Sequence, residues 1–139
     1  MEIKMGYHIG QFAEFSKTIS EGDVYLFAGI TGDLNPLHVN KVEAEKMMFG
    51  ERVVHGMLTA SYISTVIASK LPGPGTVYME QNSRFLKPVF LGDTVTARVE
   101  IEELLDRGKA KLRTTVMNQK GEIVVSGNAL VKLPKKESH

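Results

Sequence analysis

The chain has 139 residues, of which 42% are hydrophobic and 24% charged, with no cysteine and a formal net charge of +1. That length suits one domain around one buried core, and the balance excludes a disordered chain. The scattered basic residues point to neither nucleic acid nor an anionic membrane, and the missing thiols exclude disulfides, thiolate metal sites and a cysteine nucleophile.

The opening "MEIKMGYHIGQF" has neither the apolar core nor the cleavage site of a leader, and no run approaches the roughly 20 apolar residues of a membrane span. A cytoplasmic protein is expected. Residues 1–133 should form the domain, and 134–139, with Lys135 and Lys136 beside Glu137, a polar tail.

From Gln11 to Ser20 the chain alternates like a strand, with Phe15, Lys17 and Ile19 at period two. Ser20 and Asp23 then read as an N-cap pair before a short helix over "VYLFAG". Pro36 cannot stand in a helix interior, so residues 32–39 should form an irregular loop holding Asp33 and His38 on a rigid turn. Asn40 and Glu43 form a start signal for a helix reaching about Met48. Met57 to Lys70, "MLTASYISTVIASK", is apolar nearly all round and predicts a buried helix, stopped by "LPGPG".

The remainder alternates like sheet: "TVYMEQNSRFLKPV", "DTVTARVEIEELL", "KAKLRTTVMNQ" and "EIVVSGNALVKL". Val95, Ala97, Val99 and Ile101 share one face; Ile123, Val125, Gly127, Ala129 and Val131 do the same on the last strand. "DRGK" and "NQKG" read as hairpin turns. An antiparallel sheet with one buried helix must wrap that helix in its concave face. The expected fold is α+β, a single hotdog domain.

Two constellations carry chemistry. In "GITGDLNPLHVN", Asp33 could simply cap a turn and His38 could be a satisfied, half-buried histidine. Held on one proline-stiffened loop, the two are also a carboxylate and an imidazole able to divide acid and base work near neutral pH. In "HGM", Gly56 could be a plain turn residue. At the start of a buried helix it would also present free N–H groups to an oxygen that becomes negative. Together these features describe proton transfer alpha to a carbonyl. Asp33, His38 and His55 could instead make a two-histidine, one-carboxylate metal site. No ligand spacing supports that, and His8 and His139 lie near the ends, so neither a metal nor a cofactor is expected.

"FAGITGDLNPLHVNKVEA" resembles the hydratase 2 motif of the MaoC-like dehydratases, the (R)-specific enoyl-CoA hydratases, from Phe27 through His38 to Ala44. "VVHGMLTAS" and "FLKPVFLGDTV" extend the likeness over nearly the whole chain. Asn40, where many relatives carry Asp, lies outside the motif's fixed positions. The resemblance implies a hotdog homodimer or higher oligomer acting on acyl-CoA thioesters, with coenzyme A as part of the substrate. It implies Asp33 and His38 sharing one water, the Gly56 amide on the thioester oxygen, and Ser64 supporting the pocket from the helix. Asn35, which with Pro36 should lock the loop, joins Gly56 and Ser64 among the expected substrate-binding residues. The implied reaction is reversible addition of water to a trans-2-enoyl thioester, giving the (R)-3-hydroxyacyl product, in fatty-acid or hydroxyalkanoate metabolism. One rival reading moves the same chemistry to acyl carrier protein. Another is a hotdog thioesterase, a class in which many members place a carboxylate on the central helix; "MLTASYISTVIASK" has none. A third, a non-catalytic acyl-binding module, leaves the intact Asp33 and His38 without a purpose.

Overall fold

A computed structural model describes Ile3, Lys4 and residues 6–135. The polar tail expected over 134–139 falls outside the described residues from Lys136 onward. A short hairpin of β1 (Ile3–Lys4) and β2 (Tyr7–His8) precedes β3 (Phe12–Thr18). Helices α1 (Glu21–Thr31), α2 (Pro36–Val39), α3 (Lys41–Glu45) and α4 (Gly56–Ser69) follow. The chain closes with β4 (Val77–Phe85), β5 (Thr94–Leu104), β6 (Lys109–Met117) and β7 (Ile123–Lys132).

Five strands form one antiparallel sheet in the order β3-β5-β6-β7-β4. Helix α4 packs across β5, with β3 and β6 on either side, so the hotdog arrangement read from the sequence is the one observed. Val95, Ala97, Val99 and Ile101 from β5 and Leu112 and Val116 from β6 are wholly buried, packed with Ile63, Val66 and Ile67 of α4 into one core. Each Val, Leu or Ile among them contributes about 1.5–3 kcal/mol on burial. That burial orders α4, whose 14 residues would be marginal as an isolated helix.

Helix α1 starts with a full capping box: Ser20 Oγ accepts from the Asp23 N–H and Asp23 Oδ2 accepts from the Ser20 N–H, each at 3.0 Å. That Ser20 N–H is the main reason the Asp23 carboxyl sits below its ordinary value.

Four expectations need correction. Pro36 does not exclude a helix: it occupies the first position of α2, where its missing N–H costs nothing, and only 32–35 is irregular. Helix α3 ends at Glu45 rather than near Met48, because Met47 N–H turns back to Ala44 O and Gly50 N–H to Met47 O, tightening the chain into turns. On β7, Val124 and Val125 are both buried while Ile123 is exposed; a register shift opposite Val116 and Met117 inserts one residue and breaks the alternation. Helix α4 is not buried all round in this chain, since the sheet covers one face and leaves Met57, Ser61, Ser64 and Ala68 exposed.

Strand β4 forms one edge of the sheet and, among the described residues, pairs with β7 alone. Val77, Tyr78, Met79 and Phe85 are all exposed on it. No described helix is long and apolar enough to cross a membrane.

Candidate active site

The segment between α1 and α2 is fixed by local hydrogen bonds that its sequence supplies. Gly32 ends α1 at φ +81°, with its N–H on Ala28 O at 2.9 Å. That left-handed conformation favours glycine and swings the next residue out of the helix. Thr31 Oγ1 donates to Phe27 O at 2.8 Å and accepts from the Asp33 N–H at 3.2 Å. Asp33 Oδ1 accepts from the Asn35 N–H at 3.3 Å, and Asn35 Oδ1 accepts from the Leu37 N–H at 3.0 Å, capping α2. The His38 N–H in turn donates to Asn35 O at 2.9 Å. Asn35 therefore locks the loop, and its side-chain oxygen is committed to that task.

The extended residues 52–55 frame the other side. The Val53 N–H donates to Leu37 O at 3.0 Å and the Val54 N–H to Val89 O at 2.7 Å, tying this segment to α2 and to the connection between β4 and β5. Arg52 clamps this segment onto α1 through Glu21 and the Tyr25 hydroxyl, both at 2.8 Å; the Glu21 carboxylate raises the guanidinium further above its already high value. His38 Nδ1 lies 2.7 Å from Val53 O. A carbonyl can only accept, so Nδ1 carries the hydrogen, and in the neutral ring Nε2 is then the acceptor.

His55 joins these parts. Its Nε2 lies 3.0 Å from Asp33 O and by the same rule donates to it. Its ring stacks on His38 with centroids 3.9 Å apart and planes 25° from parallel, and meets Phe27 at 4.9 Å. His55 is 1% exposed, and its Nδ1 has no hydrogen-bond partner among the described residues. Leaving such an atom unpaired costs about 1–3 kcal/mol. The sequence reading weighed His55 only as a metal ligand and missed its place between Asp33 and His38; a histidine set among the apolar residues of "VVHG" was the available signal.

A carboxylate oxygen of Asp33 and a ring nitrogen each of His38 and His55 fall within 4.8 Å of one another. Asp33 is exposed and His38 is largely buried, so the pair meets at the protein surface. A separation of up to 4.8 Å is within the span of one water making hydrogen bonds of about 2.8 Å to each group. The same cluster is a poor metal site. A metal must lie in the plane of each ligating ring, and near-parallel rings stacked face to face do not share such a point.

His55 is also the N-cap residue of α4 and makes no side-chain cap there. The first N–H groups of a helix have no partner within it, so the dyad lies beside free donors backed by the helix dipole. Gly56 is the first of these and has an ordinary backbone conformation. A Cβ here would stand 2.9 Å from the ring of Phe85, an exposed side chain that would have to shift to admit it. A largely apolar cavity of about 290 Å³ opens here, lined by Phe49, Val53, Gly56, Thr59 and Phe85 among others. Ser64 lies further along α4, roughly 12 Å from Gly56 at 1.5 Å per residue, on the exposed face. No hydrogen bond among the described residues joins it to the dyad.

Fold and site together define a hotdog domain with a carboxylate and two stacked histidines gathered at the N-terminus of its central helix. The chain belongs to the MaoC like domain family, whose model matches residues 6–125. It is 46% identical to an (R)-specific enoyl-CoA hydratase of Rhodospirillum rubrum, over 90% of this chain and 87% of that one. It is 45% identical to a 3-hydroxybutyryl-CoA dehydratase of Methylorubrum extorquens, over 93% and 82%. Among solved structures, the (R)-hydratase from A. caviae involved in PHA biosynthesis superimposes with a TM-score of 0.91 at 40% identity, covering 94% of this chain and all of that one.

Proposed function

We propose that this protein is an (R)-specific enoyl-CoA hydratase, a hydro-lyase adding water reversibly to trans-2-enoyl-CoA. The observation that carries the reading is the Asp33 carboxylate and His38 imidazole within 4.8 Å, beside the uncapped start of α4. Close relatives bearing hydratase and dehydratase names support it.

In the hydration direction, Asp33 and His38 hold the water against C3 of the substrate. As the water oxygen bonds to C3, the pair takes one of its protons, and the C2–C3 electrons move onto the thioester oxygen. The Gly56 N–H stabilises that enolate oxygen. The pair returns one proton to C2 and ends as it began, so one water is consumed and no other reactant is needed. The apolar cavity beside Gly56 suits the acyl chain. Helix α4 carries no Asp or Glu, which disfavours a thioesterase.

The test is turnover of crotonyl-CoA and longer enoyl-CoAs, followed by loss of the enoyl absorbance, with chiral analysis of the product. Formation of (R)-3-hydroxyacyl-CoA is expected; no turnover of any enoyl-CoA rejects the proposal. The same acyl groups on acyl carrier protein identify the carrier.

The proposal includes metal-independent chemistry. The stacked histidines support it, and activity should survive prolonged chelation and dialysis. It also includes a homodimer paired through β4: an open edge strand with Val77, Met79 and Phe85 exposed is a template for a second copy. Sedimentation should show a dimer at micromolar concentration; a stable, active monomer rejects the pairing. The cytoplasm as compartment and fatty-acid or hydroxyalkanoate metabolism as setting belong to the same proposal, and cell fractionation tests the first.

A further inference from the structure

We infer that His55 is the positioning residue of the dyad, holding Asp33 by its main-chain oxygen and backing His38 with its ring face. The inference rests on the hydratase reading for its kinetic arm and on geometry alone for its spectroscopic one. One imidazole touches every part of the site. Its Nε2–H meets Asp33 O at 3.0 Å, and its ring lies 3.9 Å from that of His38. Its backbone begins α4, accepting the Thr59 N–H at 3.1 Å, directly before the Gly56 amide.

Being 1% exposed, His55 is enclosed by the residues around it and acts through those it holds. Packing does not explain a histidine here. The ring lies between Phe27 and His38, and its Nδ1 is buried without a partner among the described residues. A phenyl ring would fill the space and leave no unpaired nitrogen. What phenylalanine cannot supply is the donor to Asp33 O, and that donor fixes where the carboxylate stands relative to His38. Misplacing a reacting group by about 1 Å can cost on the order of 100-fold in rate.

Two variants separate positioning from support. His55→Phe keeps the aromatic stack and removes the donor; His55→Gln removes the ring and keeps an N–H near the place of Nε2. With crotonyl-CoA, His55→Phe should lose roughly 10- to 100-fold in kcat with KM changed by less than about threefold. Its Tm should be equal to or above that of the wild type. His55→Gln should recover a substantial part of kcat. Unchanged turnover in His55→Phe overturns the inference. So does a loss that tracks Tm in both variants without recovery in His55→Gln. Nitrogen-15 spectra of the wild-type histidine rings need no turnover. They should show His55 as the Nε2–H tautomer with a slowly exchanging proton; the Nδ1–H tautomer overturns the inference even if the enzyme is an active hydratase. Conversely, a protein with the expected tautomer and no hydratase activity refutes the functional reading and leaves the Asp33–His55 contact standing.

Discussion

Strand β5 buries Val95, Ala97, Val99 and Ile101 completely beneath α4, while the loop before α2 leaves Asp33 exposed beside two histidines, one with a nitrogen unpartnered among the described residues. In β5 the backbone is paired on both sides, with β3 and β6, and inward side chains are wholly apolar. Around Asp33 every local hydrogen bond shapes the backbone, and the reactive atoms are left with capacity to spare. His38 is bonded through Nδ1, Asp33 accepts one long bond from the Asn35 N–H, and α4 begins without a side-chain cap. On the proposed function, stability and reactivity fall to different regions of one small domain, and mutations should separate them.

The largest effect is expected at the dyad. Asp33→Asn or His38→Gln should lower kcat by roughly 10²–10⁴-fold, the usual range for a positioned acid or base, while the protein still folds cooperatively, with a modest fall in Tm for His38→Gln from its lost bond to Val53 O. A collapse of Tm in either variant would erase the contrast with β5.

Next comes Gly56→Pro, which deletes the proposed oxyanion donor and should lower kcat by roughly 10²–10³-fold, with less effect on KM. Proline suits the first position of a helix, so the local fold should tolerate its backbone. Its ring still meets Phe85, as the Cβ of Gly56→Ala would at 2.9 Å. Gly56→Ala, which keeps the N–H, is therefore the steric control. Near-normal turnover in folded Gly56→Pro would place the donor elsewhere.

The converse experiment is Ile101→Ala. Removing a wholly buried side chain should cost about 2–5 kcal/mol of stability, read by denaturant unfolding, with kcat of the folded protein unchanged. A proportionate loss of activity would show that β5 and the site are coupled.

The smallest effect belongs to the capping box. Ser20→Ala should cost about 1 kcal/mol. The Asp23 carboxyl is held below its ordinary value chiefly by the Ser20 N–H, so the unfolded chain takes up the proton first as pH falls. Its contribution is present above the unfolded-state value and is lost as pH drops through the folded one. Asp23→Asn should flatten that part of the acid limb of stability; an unaltered limb contradicts the assignment.

Much of this was legible in the sequence because it is local. The alternation of Val95 to Ile101, the Ser20–Asp23 cap and the breaks at "DRGK" and "NQKG" each depend on residues a few positions apart. Asp33 and His38 were legible for the same reason, as two reactive types on one short loop. Local patterns do not encode the shift that moves Ile123 out of phase, nor which face of α4 the sheet leaves open. His55 was missed on those grounds: its bond to Asp33 spans 22 positions, and no periodicity records such a contact. Pro36 was misread by treating a helix breaker as excluded everywhere, when the first helical position accepts it.

The claim that Asp33 and His38 serve one water is tested most directly by a double-mutant cycle. Asp33→Asn, His38→Gln and the double variant are assayed for kcat/KM on crotonyl-CoA, each with its thermal melt. If the two groups act as a unit, each single variant should lose nearly as much as the double. Losses that add in log rate would show two independent contributions and contradict the shared-water mechanism.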